Sequence, residues 1–60
     1  MTQAKKSQLK EIILQLTELK NRLKTIPWEV GEDIPVEKSL KIGRAVSNLE
    51  NTIRNLTEVI

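Results

Sequence analysis

The sequence predicts an all-α protein, an antiparallel two-helix hairpin that assembles as a homo-oligomeric helical bundle, and three observations carry that reading. Two long segments repeat apolar residues at intervals of three and four, which is the helical period. One short segment between them holds Pro27 and Gly31 and no helical period. The chain has 60 residues with no cysteine and no histidine. A chain of this size builds a core worth only roughly 3–5 kcal/mol, and lacking disulfides and the commonest metal ligands it must gain stability from further copies of itself.

The first segment predicts helix 1 over about residues 3–25. Leu9, Ile12, Leu16, Leu19, Leu23 and Ile26 follow one another at 3, 4, 3, 4 and 3, an a/d seam of nearly three heptads. Pro27 disfavours the helical conformation at Ile26, and Lys20, Arg22 and Lys24 suit the negative end of the helix dipole. Ile13 and Leu14 lie off this seam, and Leu14 is a candidate for a second contact between copies.

A loop is expected over residues 26–34, with Trp28, Val30 and Ile34 folding back to close the end of the hairpin. Helix 2 is expected over about 35–60, with Pro35 in its first turn, where a missing N–H costs nothing, and Asp33 and Glu37 near the positive end of its dipole. Its seam is Ile42, Val46, Leu49, Ile53, Leu56 and Ile60, widened on one side by Ala45, Thr52 and Val59. The two helices match in length and form one domain over residues 1–60. Two such hairpins face to face bury both seams, which makes Leu9, Ile12, Leu16, Leu19, Leu23, Val46, Leu49, Ile53 and Leu56 the expected oligomer interface.

Charge narrows the function. The net charge of +2 divides into +4 over residues 1–24, −4 over 25–37 and +2 over 38–60. A duplex-DNA binder is expected to carry one dense basic face, so duplex nucleic acid is not an expected partner. No apolar run of signal-peptide or membrane length is present, and the chain reads as a cytoplasmic protein without a membrane partner. Nucleophilic triads lack their usual base in the absence of histidine, so no catalytic residue is assigned and the chain is read as a non-enzyme. The adjacent Glu32 and Asp33 read as a solvated loop rather than as a metal or acid/base site, and no cofactor or metal is expected.

One polar pattern points to binding. Lys41, Arg44, Asn48, Asn51 and Asn55 recur at 3, 4, 3 and 4 on helix 2, away from its seam. Asparagine is a mediocre helix former, by up to about 0.7 kcal/mol relative to alanine, so three of them on one stripe are not there for helicity. Lys41 and Arg44 suit anionic oxygen atoms, and Asn48 suits hydrogen bonding to a ligand. Trp28, the lone aromatic residue, either plugs the hairpin end or offers a stacking platform. The candidate ligand-binding residues are therefore Lys41, Arg44, Asn48 and Trp28.

Two families share local features with helix 2. In size, in the order helix, loop, helix, and in the Ile42-Gly43-Arg44 opening of the second long helix, the chain resembles the small phage proteins that act as sponges for the cyclic nucleotides of bacterial immunity. It differs from them in carrying no aromatic residue on helix 1. That resemblance implies a multimer that binds a nucleotide between protomers without hydrolysing it. The run Asp33-Ile34-Pro35-Val36-Glu37-Lys38-Ser39-Leu40 resembles the start of the second helix in the small subunit of exonuclease VII, with Trp28-Glu29-Val30 and the short length as departures. That resemblance implies a non-catalytic accessory subunit with a protein partner. The expectation is thus an oligomeric binding protein, partnered by itself and by either a small anionic ligand such as a cyclic nucleotide or a protein.

Overall fold

The computed structural model describes residues 2–60, so Met1 of the expected domain lies outside the described residues. Two helices and no strand make up the described residues: α1 spans Gln3–Thr25 and α2 spans Ser39–Val59. They pack against each other as a helical hairpin. At 1.5 Å per residue they are about 34 Å and 32 Å long, so each can lie along nearly the whole of the other. No helix among the described residues is long and apolar enough to cross a membrane.

α1 starts where Thr2, in extended conformation, turns its hydroxyl back to accept from the Lys5 amide at 3.3 Å. This satisfies one of the four amides that a helix start leaves unpaired. It stops at Ile26, also extended, as Pro27 requires of the residue before it. Arg22 and Lys24 occupy the last turn, beside the negative end of the dipole.

The connection is built by its own backbone. The Trp28 amide donates to Ile26 O at 2.9 Å across Pro27, and the Asp33 and Glu32 amides donate to Glu29 O at 2.8 and 3.2 Å. Asp33 Oδ2 in turn accepts from the Glu29 amide at 3.1 Å, and Gly31 donates to Ile34 O at 2.6 Å. Gly31 has φ of 100°, a conformation in which a Cβ is strained whatever space surrounds it, so glycine is required here. The start of helix 2 differs from the expected one near residue 35. Val36–Lys38 form a separate 3-10 turn, closed by the Lys38 amide on Pro35 O and by Ser39 Oγ on Val36 O at 2.9 Å each. α2 proper follows this turn, with no side-chain cap.

The packing between the helices departs from the expected seam on α1. Leu9, Ile13, Leu16 and Leu23 are half-buried, together with the stems of Lys6 and Lys20, whereas Ile12 and Leu19 are exposed by about half and Ile26 by 44%. The hairpin contact is therefore rotated by one position toward Ile13, and the column Ile12, Leu19 and Ile26 is left to solvent. On α2 the expected seam is half-buried at Ile42, Val46, Leu49, Ile53 and Leu56, together with Ala45 beside it, whereas Ile60 lies past the end of the helix and is 38% exposed, and the widening residues Thr52 and Val59 are exposed.

No described residue is buried. The hairpin measures 48 × 15 × 10 Å with a radius of gyration of 14.8 Å, against about 10 Å for a compact 60-residue domain. It is a two-helix layer, with one face of each seam still wet.

Candidate functional site

α2 presents its polar side as an open groove of about 460 Å³ lined by Leu40, Gly43, Arg44, Ser47 and Asn48. Spacings of three and four put these five on one face of the helix, away from the half-buried seam. All five are exposed, Leu40 to 76%. Gly43 sits at the centre. A Cβ built there meets nothing within 4 Å, so no packing within the hairpin accounts for a glycine in a helix interior, where it costs about 1 kcal/mol relative to alanine. Its effect is to expose helix backbone between a guanidinium, a hydroxyl and an amide.

The groove gathers two of the four expected ligand residues and leaves two out. Arg44 and Asn48 line it. Lys41 is exposed on α2 but is not among the lining residues. Trp28 sits at the loop end, 38% exposed, with its indole Nε1 donating to Leu23 O at 3.4 Å. That bond ties the ring to the last turn of α1, which favours the plug over the platform. Leu40, Gly43 and Ser47 were not singled out by sequence reasoning. The available signal was a glycine inside a helical run with a serine four residues on, a pair of small residues on the face that already carries Arg44.

A second, shallower groove of about 380 Å³ lies on α1, lined by Leu14, Thr17, Glu18, Asn21, Arg22 and Thr25. Its cation is accompanied by a carboxylate on the same helix, four residues away, so it is less suited to an anion. Among the described residues no group of three or more acidic side chains could hold a metal ion. Asp33, one of the two adjacent loop carboxylates, is engaged in holding the Glu29 amide and so has a turn-forming role.

The expected interface residues fall into two sets. Leu9, Leu16, Leu23, Val46, Leu49, Ile53 and Leu56 are half-buried between the two helices, and Ile12 and Leu19 stand outside that contact. No family model, curated protein or solved structure matches this chain.

Proposed function

We propose that the chain is a non-catalytic binding protein that works as a homo-oligomer of helical hairpins. Within that class, the reading we favour is a sponge that sequesters a small anionic ligand such as a cyclic nucleotide on the Arg44 face of α2. One observation carries it: Arg44, Ser47 and Asn48 line a single groove around Gly43, where helix backbone is open to close approach. A guanidinium offers a planar fork of donors to phosphate oxygens, and the serine hydroxyl and asparagine amide can bond sugar or base edges. On one hairpin the groove is too open to hold a ligand tightly, since sequestering sites cover 70–90% of a small ligand. Tight binding there needs a further wall, from a protomer beyond the hairpin's own two helices.

The test is calorimetric titration of the purified protein with cyclic and linear nucleotides at low and moderate salt. Heat that saturates with one class of nucleotide, and that is lost in Arg44→Ala, supports the reading. Silence across the panel, with a protein recovered in pull-down from the native host, replaces it with the second reading, an accessory subunit for a larger protein. Leu14 and Leu40 favour that second reading, as they are exposed to 70% and 76% on the outer faces of the two helices.

A further inference from the structure

The apolar residues that the hairpin leaves uncovered on α1 and at its C-cap are arranged in register. Ile12, Leu19 and Ile26 repeat at intervals of seven beside the half-buried column Leu9, Leu16 and Leu23. On α2, Ala45, Thr52 and Val59 repeat at seven along one edge of the seam, with Ala45 half-buried and Thr52 and Val59 exposed. Both helices are right-handed and run in opposite directions, so these two columns flank the contact on the same side of the hairpin. A repeat of seven keeps a column on one side of a coiled pair over its whole length.

We infer that a second copy of this chain covers that side, with the two α1 helices antiparallel about a twofold axis at Leu19. This deepens the oligomeric part of the functional reading above and is independent of the ligand.

Area supports a second copy as the occupant. A folded single chain of 6.9 kDa exposes about 4000 Å². This one exposes 4925 Å², an excess close to the roughly 800 Å² that each partner contributes to a stable interface.

Length fixes the axis. Leu19 lies about 24 Å from the start of α1, half of the 48 Å long axis, so two copies related at Leu19 overlap from end to end. Ile12 of one protomer then meets the partner's Ile26, and Leu19 meets its own symmetry mate, as an isologous contact requires.

Charge fixes the direction. Lys5, Lys6 and Lys10 mark one end of the rod, and Glu29, Glu32 and Asp33 mark the other. The antiparallel arrangement sets each lysine end beside the acidic loop of the other copy. An arrangement with both loops at the same end would bring two −4 segments together.

The chain has no cysteine, so single substitutions report the pairing cleanly. Under oxidation L19C should close to a disulfide-linked dimer that keeps its helical circular dichroism. I12C should not close on itself, because two copies of position 12 lie about 21 Å from the nearest mate along the axis, well beyond disulfide reach. A mixture of I12C and I26C should give the mixed dimer. Wild-type protein should sediment as two chains or a multiple of two at micromolar concentration, and dissociate more readily as salt rises. If I12C closes on itself while L19C does not, or if no variant crosslinks, the pairing is overturned even where the wild-type mass is oligomeric. A one-chain mass with a cooperative melt overturns the pairing and the oligomeric reading together.

Discussion

The two helices of the hairpin are alike in length and unlike in how they use their surfaces. α1 exposes Ile12, Leu14 and Leu19 along its middle, whereas every large apolar side chain of α2 between residues 41 and 58 is half-buried. α2 turns Arg44, Ser47, Asn48, Asn51 and Asn55 outward instead. α1 therefore has more apolar surface than one neighbour can cover, and α2 has hydrogen-bonding capacity beyond what a helix needs. The contrast suggests a division of tasks in which α1 gathers copies and α2 meets the ligand.

Substitutions on the two helices can break or sharpen that division. The largest effect is expected at Leu49, in the middle of the α2 seam. Leu49→Asp brings an unpaired charge into the helix contact and should cost about 3 kcal/mol or more, comparable to the entire stability of so small a chain. Circular dichroism should show an unfolded protein, and retained helicity would show that the seam does not hold the hairpin together.

Arg44→Ala should leave the melting temperature nearly unchanged and weaken ligand binding by about 1.5–3 kcal/mol, read by calorimetry. Lys41→Ala should act in the same direction and more weakly, as a point charge outside the groove. Equal losses from both would move the site along the helix.

Gly43→Ala separates the two roles of α2 further. The added methyl meets open space within the hairpin, so the helix should gain about 1 kcal/mol and the melting temperature should rise. Ligand binding should fall, because the backbone is no longer approachable. A lower melting temperature would instead show another chain packed on Gly43, and α2 would then share the task assigned to α1.

The smallest effects are expected at Leu14→Gln and Asn51→Asp, each within about 0.5 kcal/mol in thermal melts, since both side chains are exposed. A clear loss from Leu14→Gln would reveal a contact on α1 beyond the Leu19 side.

Much of this arrangement is legible from residue order. Pro27 and Gly31 mark the break between the helices, and the intervals of three and four through Leu49 and Ile53 locate the half-buried side of α2. The register of α1 is less legible, because Ile12 and Ile13 are consecutive and either one completes the three-and-four spacing between Leu9 and Leu16. Periodicity finds an apolar stripe, but which edge of it meets α2 depends on how the helices rotate against each other. The 3-10 turn at Val36–Lys38 escaped for a related reason: Pro35 suits the first turn of either helix type, and the distinction lies in where the Lys38 and Ser39 hydrogen bonds go. At the groove, Arg44 and Asn48 were visible as polar residues in a repeat. Gly43 and Ser47 were not, because a small side chain matters only through the space it leaves.

Trp28 has a spectroscopic consequence. It is the chain's one aromatic side chain, with no tyrosine or phenylalanine beside it, so all emission and near-ultraviolet dichroism originate from a single indole. That indole is tethered to the Leu23 carbonyl at the closed end of the hairpin. Its emission therefore follows the loop end alone, while far-ultraviolet dichroism follows the two helices. Recorded on one sample, the two signals form a built-in check on cooperativity: superimposed melting curves mean that loop and helices open as one unit, and an earlier change in emission means that the hairpin unzips from its turn.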